Sequence, residues 1–340
     1  MSSKYPRNIN KNQDDEYLHN FNRSTKQIIS YAQNGEDIVL NRAFFQNSSG
    51  FFIDIGAADP VINSVTHLFH QRGWKGINIE PNPVFFQKLN NVRKDDINLN
   101  IGIGQKPKTS IFYNCLTVKE WSTFSHQLYL KHKSHGVKFK NIKVKIDTLE
   151  NILDHLTLPK VIDFLKVDVE GLEEQVLKSN NWLKYRPKVI IIETNHPQKC
   201  HLLMSRNNYL KVLDDGLNLF YLDIKYKSLK KYLDKPANVC DNFILYQYHQ
   251  QFLEFQKKEK QLHQTFSDQY HQLSLEFQKK EKQLHQTFSG QYSLIENELK
   301  KTQKEFHILS QAHSELISKN PLPIPIISTP LINEEVKNKK

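Results

Sequence analysis

The chain has 340 residues, with 47 Lys and Arg against 36 Asp and Glu, a formal net charge of +11 and 38% hydrophobic residues. That length can bury a full core, and a mean hydropathy of −0.61 places a polar appendage beside it, which excludes a wholly disordered chain. No stretch approaches the roughly 20 apolar residues of a spanning helix, which excludes a membrane-embedded one.

Residues 1–28, opening MSSKYPRNINKNQDDEY, carry no apolar signal core and read as a polar, flexible lead-in to a cytoplasmic protein. Over residues 29–248, short β-branched runs alternate with helical stretches. FFIDIG (51–56), GINIEP (76–81), INLNIGIG (97–104), DFLKVDV (163–169) and KVIIIET (188–194) read as strands, with helices over 83–91, 147–156 and 171–180. Such alternation predicts a mostly parallel sheet covered by helices on both faces. Cys115, Cys200 and Cys240 are odd in number and widely spaced, which suits reduced structural thiols rather than a disulfide framework or a metal clip.

Further along, residues 253–267, LEFQKKEKQLHQTFS, recur unchanged at 275–289. The apolar positions from Phe255 to Phe306 are spaced alternately 7 and 4 apart, an 11-residue period. About 3.67 residues per turn favours a straight or weakly right-handed coiled coil. One long helix over 249–319 is expected. It is either solvated or engaged with a second copy or a partner helix, because its stripe has nothing of its own to pack on. Residues 320–340, with four prolines and a basic end, read as a disordered tail.

Parallel sheets place ligands beyond the carboxyl ends of their strands, so the polar residues there are the ones to interrogate. The first strand runs into Asp54, Gly56 and Ala57, a small-residue turn that lets backbone approach a ligand beside a carboxylate. The second ends in Glu80, whose two oxygens suit the two hydroxyls of a ribose. GxGxxG is absent, which argues against a dinucleotide and for a nucleoside ligand without a pyrophosphate. Each acid taken singly also suits a turn or a helix cap.

SYAQNGEDIVL (30–40), FFIDIGAADPVINSVTHLFHQRGWKGINIEPNP (51–83), STFS (122–125), IDFLKVDVEGLEEQVLKS (162–179), VIIIETNHP (189–197) and DDGLNLFYL (214–222) together resemble the FkbM family of S-adenosylmethionine-dependent methyltransferases. The resemblance spans about residues 29–245 and implies an α/β fold, the Rossmann-like class I methyltransferase fold. Its seven-stranded, mostly parallel sheet would end in an antiparallel strand at DNFILYQ (241–247). It further implies S-adenosylmethionine over Asp54, Gly56 and Ala57, with Glu80 on the ribose, and O-methylation of sugars or natural-product hydroxyls.

Transfer of a methyl group to a hydroxyl requires that the hydroxyl lose its proton. Asp168 and Glu170 end the fourth strand, and Glu193, Asn195 and His196 end the fifth. Asp168, Glu170 and His196 are the candidate catalytic residues, His196 being the simplest base. Asp168, Glu193 and Asn195 are oxygen donors of the kind Mg²⁺ accepts, which leaves metal assistance open. Trp74, Trp121, Tyr129 and Trp182 are stacking platforms or core residues, and the stretch 119–141, with His126, His132 and His135, is a substrate lid or a surface loop.

The function expected is O-methyl transfer to a hydroxyl of a glycan or glycosylated metabolite. An RNA methyltransferase, a dinucleotide oxidoreductase and a non-catalytic coiled-coil scaffold are the alternatives. Residues 1–248 hold +9 of the net charge, a hint of an anionic acceptor. With 7 Arg among the 47 basic residues and no block of five or six consecutive basic residues, a DNA partner is not expected.

Overall fold

The structure, a computed structural model, describes residues 27–287 and 292–319; the expected lead-in up to residue 26 and the expected tail lie outside the described residues. The strands are β1 (Ile28–Ser30), β2 (Phe51–Ile55), β3 (Lys75–Ile79), β4 (Ile97–Leu99), β5 (Gly102–Ile103), β6 (Lys108–Cys115), β7 (Phe139–Asp147), β8 (Phe164–Val167), β9 (Val189–Glu193), β10 (Tyr209–Asp214), β11 (Asn218–Asp223) and β12 (Phe243–Leu245). The helices are α1 (Glu36–Phe44), α2 (His67–Gln71), α3 (Pro83–Val92), α4 (His126–Ser134), α5 (Leu149–Asp154), α6 (Glu173–Lys178), α7 (Pro197–Arg206), α8 (Lys230–Leu233), α9 (Tyr246–Thr287) and α10 (Tyr292–Lys319).

Seven strands form the main sheet in the order β10-β11-β9-β8-β2-β3-β4. Neighbours from β9 to β4 are parallel, and β11 runs antiparallel to both β9 and β10. The parallel strands are apolar on both faces because both faces are covered. Ile53, Ile55, Ile77, Leu165 and Ile190 point into one core, while Phe52, Trp74, Phe164, Ile191 and Phe220 point into the other.

The antiparallel strand is therefore β11, within DDGLNLFYL, and not DNFILYQ. β10 and β11 are joined by the turn at Asp215–Leu217, where Gly216 has φ 90°, and so short a connection can only reverse the chain. DNFILYQ instead contributes β12, which pairs in parallel with β1 in a separate two-stranded sheet. INLNIGIG also divides. β4 stays in the main sheet, whereas β5 joins β6 and β7 in a three-stranded sheet. The break falls at Asn100, whose side-chain amide donates to the Glu80 and Pro81 carbonyls at 2.8 and 3.0 Å.

Two compact units result, Met1–Leu253 and Glu254–Lys340. In the second, the single long helix of the sequence reading is replaced by α9 and α10, which run antiparallel. Phe266 stacks on His313 with ring centroids 4.2 Å apart, and Tyr270 meets Phe306 at 5.5 Å. Leu273 and Phe277 of the apolar stripe face the same space as Phe306. The stripe thus packs on a second helix of its own chain. No helix among the described residues is long and apolar enough to cross a membrane.

Candidate functional site

The order of the main sheet reverses between β2 and β8, and the carboxyl ends of β2, β3, β8 and β9 open into a cavity of about 450 Å³. A crevice at such a switch point is where open α/β sheets take their ligands.

The strand ends approach closely there. Gly56 has φ 80°, and a Cβ built on it would lie 1.7 Å from the Asp168 carbonyl oxygen, so only glycine fits between the ends of β2 and β8. Beyond it the chain turns through Ala58, at φ 49°. Three of the non-glycine residues with positive φ, Ala58, Asn63 and Glu170, line the cavity, a concentration of backbone strain typical of functional sites.

Glu80 is buried, and both of its oxygens are engaged: Oε2 accepts the Ala58 amide at 2.8 Å and Oε1 the Asn82 amide at 2.7 Å. Burial pushes its carboxyl up to about 7 against the pull of those two amides. Asn82 goes on to cap α3, accepting the Val84 amide at 3.0 Å ahead of Pro83 at the first helical position. Asp54 is buried too. Its Oδ2 accepts from Thr66 Oγ1 at 2.9 Å, while its Oδ1 has no hydrogen-bond partner.

Lys166, from the middle of β8, places Nζ 2.9 Å from Asp168 Oδ2. Burial works against its charge, yet Asp168, Asp54 and Glu193 outweigh it and hold its pKa above the ordinary lysine value. Around this one ammonium stand Glu36, Asp54, Asp168, Glu170 and Glu193, all lining the cavity. Burial, followed by repulsion from Asp168, pushes Glu170 up to about 7 and Glu193 up to about 8. The floor of the cavity is acidic beyond what its lysine neutralises.

A buried arginine supports this floor from behind. Arg93 Nε and Nη2 both donate to the Pro60 carbonyl, at 3.0 and 2.7 Å, and Nη2 also donates to Ser64 Oγ at 3.0 Å. Its guanidinium therefore fixes the loop that presents Thr66 to Asp54. Arg93→Lys, which cannot make the forked contact, is expected to destabilise the fold by about 2–3 kcal/mol in urea unfolding.

Of the residues expected from sequence, Asp54, Gly56, Ala57, Glu80, Asp168, Glu170 and Glu193 are brought together around the cavity, whereas Asn195 and His196 are not. His196 is exposed, at the N-cap position of α7. Its backbone amide donates to Thr194 Oγ1 at 3.0 Å, a turn that carries residues 195 and 196 away from the end of β9. Of the set Asp168, Glu193 and Asn195, the first two line the cavity and Asn195 does not. Among the described residues no group of three or more His, Cys, Asp or Glu is placed to hold a metal ion. Trp74 and Trp182 are core residues, 0% and 6% exposed, and Trp121, at 41%, is the tryptophan that lines the cavity. Within the 119–141 stretch, His126–Ser134 fold as α4, with Tyr129 stacked on Tyr113 at 4.1 Å and His132 on Trp121 at 4.8 Å.

Lys166 and Glu36 were missed. The signal for Lys166 was present, since a lysine inside the apolar run DFLKVDV must find a carboxylate if that strand is central. Glu36 had none, because it reaches the cavity from α1, outside the strand-end pattern.

A reversing, mostly parallel sheet with an acid closing its second strand inside the ligand crevice defines a Rossmann-like methyltransferase fold. Residues 54–214 match the family model described as Methyltransferase FkbM domain. The chain thus carries an FkbM methyltransferase domain over these residues, the domain of an S-adenosylmethionine-dependent methyltransferase. No curated protein sequence matches it. Among solved structures it is similar to the precorrin-6y C5,15-methyltransferase of Geobacter metallireducens, at 11% identity over 58% of this chain and 94% of that one, with a TM-score of 0.32. It is also similar to TYW2 of M. jannaschii in complex with AdoMet, at 10% identity over 58% and 79%, with a TM-score of 0.28. A TehB-like SAM-dependent methyltransferase of Corynebacterium glutamicum is similar at 7% identity over 63% and 96%, with a TM-score of 0.30.

Proposed function

We propose that the cavity holds S-adenosylmethionine over its acidic floor and that the domain transfers the methyl group to a hydroxyl of a glycan or glycosylated metabolite. The observation that carries this reading is the surplus of buried carboxylate around Lys166, a cation-seeking floor at the sheet's switch point. The residues present fit the cofactor. The partnerless Asp54 Oδ1 offers an acceptor to an ammonium, and each Glu80 oxygen keeps a lone pair for a ribose hydroxyl besides its backbone amide. When bound, the cofactor supplies an electrophilic methyl group.

The chain's own residues do the remainder. Glu193, with its carboxyl pushed up to about 8, is matched to taking a proton from the acceptor hydroxyl near neutral pH and replaces His196 in that role. Lys166 holds the adjacent Asp168 in place through their 2.9 Å ion pair. Glu36 is held by Asn218 Nδ2 at 2.7 Å and the Asn34 amide at 2.8 Å, which fixes the wall facing Glu193. Trp121, at the rim, offers an indole face to the acceptor.

A cation arriving at this floor stabilises ionised carboxylates, so the complex binds fewer protons than the free protein. Glu80, Glu170 and Glu193, pushed up to about 7, 7 and 8, are the groups that respond. Affinity for S-adenosylmethionine is expected to rise from about pH 6 to about pH 8, with net proton release near neutrality. Calorimetry in two buffers of different ionisation enthalpy measures this. Proton uptake would contradict the assignment of the floor, and the lack of saturable binding would dispose of the enzyme reading.

A further inference from the structure

Between Gly104 and Asp147 the chain leaves the main sheet to build β6, α4 and β7, and this arm carries nine lysines against two acidic residues, Glu120 and Asp147. All nine lysines, Lys106, Lys108, Lys119, Lys131, Lys133, Lys138, Lys140, Lys143 and Lys145, are exposed. Elsewhere in the same unit, Lys75, Lys88, Lys166, Lys184 and Lys188 each face an aspartate within 4 Å. None of the nine on the arm has a carboxylate partner among the described residues. Most of the charge surplus of residues 1–248 thus lies on this one excursion.

The arm also forms one side of the cavity. Phe112, Val118, Lys119, Glu120, Trp121 and Phe124 line it. Trp121 rests against His132 and stays 41% exposed at the rim, beside the 37% exposed Val118. Lys119 is the arm lysine in the lining and the other eight stand elsewhere on the arm, so a lysine-rich arm beside an acidic floor sorts the parts of an incoming molecule. Negative charge is repelled by Glu36, Asp168, Glu170 and Glu193 and attracted by the lysines, while an uncharged hydroxyl can enter.

We propose that the arm selects a negatively charged saccharide, holding its anionic groups on the lysines and one sugar face on Trp121 so that a neutral hydroxyl is presented to the cavity. This rests on the glycan methyltransferase reading above and adds the charge class and orientation of the acceptor. Nucleic acid is disfavoured as the occupant, because none of the seven arginines lies in the arm and forked phosphate contacts are therefore missing from it. Carboxylate and phosphate or sulfate groups share the chemistry required.

The test uses the full chain and follows Trp121 fluorescence on titration with oligogalacturonate, dextran sulfate, neutral dextran, single-stranded RNA and phosphatidylserine vesicles. Calorimetry with S-adenosylmethionine is run on the same samples. One or both acidic saccharides should change the emission, with an affinity that falls as salt rises, and which of the two binds identifies the charged group. The fourfold variant Lys131→Gln, Lys133→Gln, Lys140→Gln, Lys143→Gln should weaken that binding by about tenfold or more at low salt while cofactor affinity stays unchanged. Trp121→Ala, titrated by calorimetry because its reporter is gone, should weaken it without altering its salt dependence. Equal binding of neutral dextran, no binding of either acidic saccharide, or tighter binding of RNA or vesicles each overturns the proposal. Loss of cofactor binding in the unmodified protein would instead strike the methyltransferase reading, leaving the saccharide titrations to decide the arm on their own.

Discussion

Lys166→Met is expected to cost about 3–5 kcal/mol of stability near neutral pH, the usual consequence of removing one partner from a buried ion pair. Methionine fills similar volume, so the loss comes from charge. Asp168 loses the ammonium 2.9 Å from its Oδ2, and Asp54 and Glu193 lose the cation that opposes their burial. The sign with pH is specific. A carboxyl whose folded pKa lies above its unfolded value makes the folded state bind more protons, so stability falls as pH rises through that window. For Glu193 the window already runs from 4.5 to about 8, and removing Lys166 extends it upward. The destabilisation should therefore be largest near about pH 9 and shrink toward about pH 5 in paired urea unfolding curves. A loss that does not vary with pH would mean that packing alone is at stake. Adding Asp168→Asn to the variant should recover part of the stability, because the orphaned carboxylate is then gone.

Glu80→Ala should reduce affinity for S-adenosylmethionine by about 100-fold in calorimetry, corresponding to the loss of hydrogen bonds to a charged acceptor. Two effects combine. The proposed contact with the ribose disappears, and the Ala58 and Asn82 amides, held by Glu80 at 2.8 and 2.7 Å, lose the group that shapes the turn after β2. Glu80→Gln is expected to be nearly as damaging. Because both oxygens accept a backbone N–H, the side-chain NH₂ of glutamine must confront one of those donors whichever way it is turned. An affinity within about threefold of the unmodified protein for both variants would remove Glu80 from the cofactor site.

The central strands were legible because a parallel strand covered on both faces is a continuous apolar run, as in FFIDI and VIIIE, and acids at the ends of such runs stand out. That local signal located Asp54, Glu80, Asp168, Glu170 and Glu193 and placed them at one edge. Where pairing decides the outcome, composition did not suffice. DNFILYQ and NLFYLD are comparably apolar, and only the short turn after β10 makes the latter the antiparallel strand. His196 failed for a similar reason: its position three residues past β9 suggested the crevice, but the Thr194 hydroxyl turns the backbone outward. The repeat revealed helix and stripe, whereas the fold-back of α10 onto α9 is a tertiary event that no period encodes.

The pairing of β1 with β12 brings Ile28 beside Phe243 and Ser30 beside Leu245. Strands in a sheet lie about 4.8 Å apart, so the polypeptide enters and leaves the catalytic unit through a single doorway. A unit with its two ends clasped together can be spliced into a surface loop of a host protein, or opened at another loop and rejoined across the doorway, without stretching its framework. Attachments at either end share one anchorage, and a load applied between them is borne first by that short parallel pair before it reaches the seven-stranded sheet.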